Sequence, residues 1–544
     1  MLVPYTSPRR AIPRRAHVTQ SHEAYAFPAP QKGLDFAQPL PGGNPLTAVV
    51  LENLIPRVLG VSLRAGYTRW VSNLNGEVRT VMQYIAPDGT EKLLAATSTG
   101  DIYDVTAQQI STFTPVPIDT IAGGQPDGEW STFNFVTPAG AHRLLMVNPG
   151  NGYYIYDGTT IAQVLAGDGM LGTISGIDPA LFVHVTVYQN RVWFVEVDST
   201  RAWYLPIGEF AGIAKQFDFG AMLPHGGHLE VLINWTFDGS SGVGLNNQLV
   251  AIGNEGDLVV YGGDDPDTAD SFRCTGRWFI GRVPLGRRWF SIFSGDIIML
   301  SERGMNFMSE VMRGKGFFGN TEIAQSVNSA LAAEVVNTLD VRYWEVVYLP
   351  VEQLVLINRA EFDAADKQWL YEVNNKAFAT LQGIPMNTLG LFDGKAFSGD
   401  LVGNIWWTFQ GGSDGIIDGV AGKDLEGRCV TAFQTMGEGI RVKRFLMVRP
   451  SFIAKAPPGV SAALNREWST APPSDAPAFF GVDPALWDVG QWNVAVWTGE
   501  GEAYESWFGA AGIGRYASLS LRVRANAGAV FVGWQAIVTA GGVL

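Results

Sequence analysis

The sequence predicts an all-β protein, and three observations predict it. The composition is rich in turn formers and aromatics, with 64 Gly and 17 Trp, while charged residues make up only 17%. Short antiparallel strands need this combination of aromatic strand residues and glycine turns. A hairpin pattern recurs along the chain: an apolar run, a small polar turn, then a second aromatic run. Only one stretch carries a clear helical spacing. With 47% hydrophobic residues in 544, the chain can bury a large core.

The hairpin turns come in order. "ATSTGDIYDVT" turns at Gly100, "NPGNGYYIYDGTT" at Gly152, and "NRVWFVEVDSTRAWYLP" at Asp198–Thr200. "AIGNEGDLVVYGG" turns at Gly256, "GDIIMLSERGMNFMSE" at Gly304, "EFDAADKQWLYEV" near Asp366 and "KAFSGDLVGNIWWTFQGG" at Gly403. The mean step is about 50 residues, the spacing of four-stranded propeller blades. A blade is apolar on both faces and buries them only against its neighbours, so the blades must close into a ring. A β-propeller of six or seven blades is expected over residues 76–425. Tyr153, Tyr154 and Tyr156 then read as packing between blades rather than as a binding loop.

The rest of the chain divides around this ring. Residues 1–45, with Arg9, Arg10, Arg14 and Arg15 among prolines, read as an extended arm. Its role is either a loose tail or a contact with a neighbouring subunit. Residues 46–75 read as strands that join the C-terminal domain. In 319–339, Ile323, Val327, Leu331 and Val335 recur every fourth position behind a possible cap at Asn320 or Thr321, which predicts a small helical insertion over the propeller rim. Residues 426–544 lose the period. Alternating strands such as "VKRFLMVRPSFIA" and "VFVGWQAIVTAG" predict a β-sandwich there, with Trp487, Trp492 and Trp497 in a further run.

Charge and motifs exclude several classes of function. Acidic residues outnumber basic ones 52 to 38, for a net charge of -14, which excludes a broad basic nucleic-acid face. Cys274 and Cys429 are far apart and read as free thiols of a chain folded in a reducing cytosol. No secretory signal is expected, and no run of about 18 apolar residues is present to span a membrane. Nor is there a phosphate-binding glycine loop, a zinc helix or a nucleophile elbow. His225 and His228 in "PHGGH" have zinc-like spacing but no acidic or thiol partners nearby in sequence, and read as an exposed turn. Asp264, Asp265, Asp267 and Asp270 lack the glycine and closing glutamate of a calcium loop. Asp238 and Asp257 are read as turn residues rather than a glycosidase pair. "GRRWF" and "RGKGFF" pair basic and aromatic residues but read as hairpin surfaces. No catalytic, cofactor-binding or metal-ligating residue is assigned, and no enzyme is expected.

Several stretches together resemble a known family. "ENLIPRVLGVSLRAGY", "NRVWFVEVDSTRAWYLPIGEFAG", "YGGDDPDTADSFRCTGRWFIGRVPLGRR", "SGDIIMLSERGMNFMSE", "VKRFLMVRP" and "LWDVGQW" occur in order from about residue 44 to the C-terminal region. They resemble the tail nozzle, or tail tubular protein B-like component, of short-tailed bacteriophages. The motifs are packing and turn patterns, so their weight lies in number and order. The resemblance implies a structural virion protein of the phage tail, assembled in the bacterial host cytoplasm. It implies a homo-hexameric ring below a dodecameric head–tail adaptor, each subunit carrying a propeller and a platform sandwich. Tail fibre proteins would attach to it, and genomic DNA would pass through its lumen without sequence-specific binding. The alternative reading is a propeller that binds or degrades polysaccharide.

Overall fold

The glycine turns flagged in the sequence close the same hairpin in successive small sheets. Gly100, Gly152, Gly256, Gly304 and Gly403 sit at φ of 88°, 94°, 92°, 92° and 85°, a backbone region that costs other residues a steric penalty. Each joins the second and third strands of an antiparallel sheet, and Asp198 at φ 48° does the same in the third sheet. The computed structural model describes residues 22–38, 42–121, 128–170, 172–238, 245–268, 270–293, 295–314, 325–340, 343–360, 367–477, 501–525 and 528–540. The turn near Asp366 lies outside the described residues.

Five sheets of three or four strands stand free of the others in the propeller, beside a minor parallel pair, Ile174–Ser175 with Gly212–Ile213. The first runs Val78–Ile85, Glu91–Thr97, Asp101–Asp104 and Asp119–Thr120; the second Ser131–Val136, His142–Asn148, Gly152–Tyr156 and Ile161–Val164. The third is Phe182–Tyr188, Arg191–Glu196, Arg201–Tyr204 and Lys215–Asp218; the fourth Leu229–Asp238, Leu245–Gly253, Asp257–Gly262 and Arg273–Phe279. The fifth has three strands, Phe290–Phe293, Asp296–Ser301 and Gly304–Phe307. Two more strand groups complete the circle, Tyr343–Gln382 and Thr388–Thr408. Their inner strands Tyr343–Leu349 and Thr388–Phe392 pack between the fifth blade and the first.

The number of separate blades among the described residues is therefore five, below the six or seven expected. Hairpin spacing cannot show why. The last two groups lend their outer edges to distant strands. Ala377–Gln382 pairs in parallel with Ala48–Glu52, through Glu52 and Thr380. Ile405–Thr408 pairs with Tyr67–Val71, which also pairs with Ser413–Ile416. These links merge both groups into one fourteen-stranded sheet that runs on into the C-terminal body.

Aromatic side chains fill the wedges between blades. Tyr153 is fully buried between the second and third blades against Phe182 and Phe194, which stack at 4.1 Å. Trp193, Tyr204, Phe217, Tyr261 and Phe272 form the next wedge. Truncating a buried aromatic of this size to alanine costs about 3–5 kcal/mol. Tyr154 and Tyr156 are buried too, against Trp130 and Tyr84.

The C-terminal body is two facing sheets. One contains Leu54–Arg57, Gly60–Leu63, Lys443–Ala454, Glu502–Glu505, Phe508–Gly514 and Val530–Ala540; the other contains Lys423–Thr431, Gly459–Arg466 and Ala517–Ala525. Phe445, Val448, Phe452, Phe531 and Trp534 share its core with Leu425, Cys429, Leu519 and Leu521. Three expected boundaries shift. Strand Lys423–Thr431 straddles the division placed at 425/426. Within 46–75, the strands up to Leu63 join the C-terminal sheets, but Tyr67–Val71 belongs to the propeller. Residues 22–38 are not a free arm, because His22–Pro28 pairs along Gly533–Thr539 of the same chain. Residues 1–21, with the four arginines, lie outside the described residues, as do Trp487, Trp492 and Trp497.

The helical insertion is shorter than the spacing predicts. It spans Asn328–Thr338, with Val327, Leu331 and Val335 buried. Ile323 and the expected caps lie outside the described residues. Instead of a capping side chain, Asn328 ties the helix start to the fifth blade. Its amide donates to the Arg303 carbonyl at 2.9 Å and its oxygen accepts from the Met305 N–H at 3.0 Å.

One buried cation locks the two bodies together. The Arg64 side chain is 1% exposed and all five of its N–H groups are engaged. They reach both Asp414 oxygens at 2.7 Å, Asn53 Oδ1 at 2.9 Å, and the carbonyls of Ala65 and Gln382 at 3.0 and 3.1 Å. Two residues on, Gly66 lies where a Cβ would stand 1.9 Å from the Ser413 carbonyl oxygen, so no other residue fits. Arg64→Ala leaves the Asp414 carboxylate without its fork and is expected to cost about 3–5 kcal/mol. Arg64→Lys should recover only part of this, since an ammonium cannot make the paired contact. Urea unfolding of the three proteins measures both effects.

Candidate functional site

The innermost strands of a propeller face one another around its axis, so their polar side chains gather there. A cavity of about 550 Å³ opens on this axis. Thr80, Ser131, His184, Asn234, Phe290, Glu345 and Leu389 all line it, one from each strand group around the ring. Arg288, on the short strand Leu285–Arg288 that pairs with Tyr343–Leu349, lines it beside Glu345.

The charges in and beside the cavity are matched. Arg288 donates to Glu345 Oε1 at 2.7 Å, Glu129 Oε2 at 2.9 Å, Thr388 Oγ1 at 2.9 Å and the Arg79 carbonyl at 3.0 Å. Burial works against its charge, but Glu345 and Glu129 outweigh burial and hold the guanidinium above its usual range. Glu345 also accepts the Leu389 N–H at 2.7 Å. Arg287 Nε lies 3.4 Å from Glu230 Oε1, and His228 Nε2 lies 3.0 Å from Glu230 Oε2. His184 is 5% exposed. Burial, and then the charge of Arg287, push its pKa down to about 3, so the ring is neutral. Its Nδ1 and the Asn234 Oδ1 are buried without a hydrogen-bond partner.

A larger cavity, about 930 Å³, lies where the propeller meets the sandwich. Its wall is a cross-strand charge ladder. Arg524 sits opposite Glu426 and Arg522 opposite Arg428 in register. Arg524 Nη2 is 2.8 Å from Glu426, Arg522 pairs with Asp475, and Lys367 pairs with Glu52. The first of these pairs joins neighbouring strands, the second ties Ala517–Ala525 to the loop at Asp475, and the third reaches across strand Ala377–Gln382. Among the described residues they leave no convergent reactive set.

The candidates noted in the sequence do not converge either. His225 takes its own carboxylate, with its ring 2.6 Å from Asp257, whose other oxygen accepts the His225 N–H at 2.8 Å. His228 takes Glu230, so the two histidines share no centre. Asp267 accepts from Tyr204 and Lys215, both at 2.6 Å, and Asp265 faces Arg191 at 3.5 Å. The Asp238 side chain lies outside the described residues. No group of three or more His, Cys, Asp or Glu able to hold a metal occurs among the described residues. The reading of "GRRWF" as a hairpin surface is corrected: Arg287 and Arg288 point at glutamates around the axis and Trp289 is fully buried. Most of "RGKGFF" lies outside the described residues.

Sequence reasoning missed the axial cluster because its members stand on strands far apart along the chain. A usable signal did exist. Thr80, Ser131, His184, Asn234, Arg288 and Glu345 follow the same interval of about 50 residues as the turns.

The His228–Glu230 pair carries a pH signature. The hydrogen bond to Glu230 raises the His228 pKa against the opposing effect of burial. A raised folded-state pKa stabilises below the unfolded value of about 6.5, and that contribution fades as pH rises through the folded value. His228→Gln should therefore destabilise the protein more at pH 6 than at pH 9, as read by urea melts at both values.

No family model matches the chain, and no curated protein matches it. Among solved structures it is similar to the crystal structure of BBS1N in complex with ARL6DN, at TM-score 0.35 and 10% identity over 63% of this chain and 97% of that one. It is likewise similar to the Myceliophteria thermophila Cps50 (Swd1) β-propeller domain, at TM-score 0.35 and 11% identity over 63% of this chain and 99% of that one. Likenesses this remote carry no argument about what the chain does.

Proposed function

We propose that this chain is a structural subunit of a short-tailed phage tail nozzle. Six copies would form a ring below a dodecameric head–tail adaptor, with fibre proteins on the outside and genomic DNA passing through the lumen. The observation that carries this reading is the fourteen-stranded sheet running from propeller to sandwich. Domains in one chain ordinarily move against each other across a modest polar interface. Here the junction is a hydrogen-bonded ladder reinforced by the buried Arg64–Asp414 pair. A wall that confines packaged DNA needs such a stiff joint. The ordered resemblance along most of the chain supports the same reading.

The electrostatics suit it as well. A net charge of -14 presents DNA with a surface that repels phosphates rather than gripping them. The chain would thus act without chemistry of its own. A polysaccharide-degrading propeller needs two carboxyl groups free to act as acid and nucleophile or base. Glu345 and Glu129 are instead clamped by Arg288, and Glu230 is held by Arg287 and His228.

Imaging of the purified chain mixed with a dodecameric tail adaptor, by electron microscopy and native mass spectrometry, tests the proposal. Six-fold rings are expected, with no retention on double-stranded DNA at low salt. A chain that stays monomeric beside the adaptor, or binds duplex DNA tightly, overturns it.

A further inference from the structure

We propose that the axial cavity of the propeller binds one neutral, hydroxyl-rich molecule of about monosaccharide size. This does not depend on the nozzle reading. The volume, about 550 Å³, lies within the roughly 300–1,000 Å³ usual for small-molecule sites. Thr236 and Ile292 on its lining are exposed, so the cavity has a mouth.

The chemistry of the lining selects the ligand class. Every charged side chain on the wall already has an opposite partner. Arg288 lies between Glu129 and Glu345, and Arg287 faces Glu230. An anion would meet arginines that are engaged and Glu345 beside them; a cation would have to displace an arginine from its carboxylates. The groups left without hydrogen-bond partners are two neutral dipoles, the His184 ring nitrogen Nδ1 and the Asn234 amide oxygen, and the Arg287 Nε–H, whose charge Glu230 already balances at 3.4 Å. Burying such groups unpaired is costly, which marks them as waiting for a donor or acceptor. Alcohol hydroxyls supply both, so they suit an amide oxygen and either tautomer of the imidazole. Ser131 and Thr186 add hydroxyls to the same wall, and Phe290 presents an aromatic ring 6.3 Å from the His184 ring centroid. An apolar face beside a few fixed polar groups is the usual make-up of a site for a small polyol. Water is the competing occupant, since it too can satisfy stranded polar atoms.

Calorimetric titration of the full chain with D-glucose, D-galactose, N-acetyl-D-glucosamine and myo-inositol tests this, with acetate and inorganic phosphate as ionic controls. Saturable binding of at least one polyol, one per chain, is expected, with neither ion binding. Asn234→Leu and His184→Phe should each weaken that binding at least tenfold while the circular dichroism spectrum is retained. If His184→Phe does not fold, Asn234→Leu decides alone. Absence of saturation with all four polyols would mean a cavity filled only by water and would overturn the proposal. So would tighter binding of phosphate or acetate, or unchanged polyol affinity in Asn234→Leu.

Discussion

The structure depends on one act of closure, in which strand Tyr67–Val71 reaches across the chain to complete the last strand group of the ring. A propeller blade exposes apolar faces until its neighbour covers them, so an open ring would leave two such faces in water. Here the closing strand comes from the N-terminal side, more than 300 residues from its partner. Arg64, just ahead of it, sits 350 residues from Asp414 in sequence. Ordering so long a loop carries an entropy cost that grows only slowly with length, and a fully engaged guanidinium with a close-packed glycine behind it helps offset that cost.

The same closure joins the two bodies. Because Ala48–Glu52 lies between Ala377–Gln382 and Lys423–Thr431, the sheet does not stop at the propeller edge. The sandwich is tied in again through His22–Pro28 on the last long strand. Strands His22–Pro28 and Val530–Ala540 therefore lie in the same body, with the propeller held between the segments that lead from one to the other. Such an arrangement resists hinge motion at the junction, because bending there would break ladder hydrogen bonds as well as side-chain contacts.

Around the axis a second constraint operates. Inner strands converge too closely for long side chains on every position, and polar groups placed there leave water. Arg288 is tolerated because two carboxylates and two neutral acceptors surround it. His184 is tolerated because it sheds its charge. Each case follows the rule that a buried charge is kept only with hydrogen-bonded partners and is otherwise lost.

Local features were legible in the residues alone. The turns at Gly100, Gly152, Gly256, Gly304 and Gly403 could be read because a hairpin is written within about a dozen residues and a positive φ favours glycine. The helix face Val327, Leu331 and Val335 could be read for the same reason. The merging of the last strand groups could not, nor could the return of Tyr67–Val71 to the propeller, because edge pairing across hundreds of residues leaves no periodic trace. By itself the sequence determined the strand-rich class, the repeat and its aromatic wedges, since these follow from local propensity and from the need to bury two-faced sheets. Only the tertiary structure decided which edges join, how many blades stay separate and which polar residues meet on the axis. Those outcomes depend on distances in space between groups that share no neighbourhood along the chain.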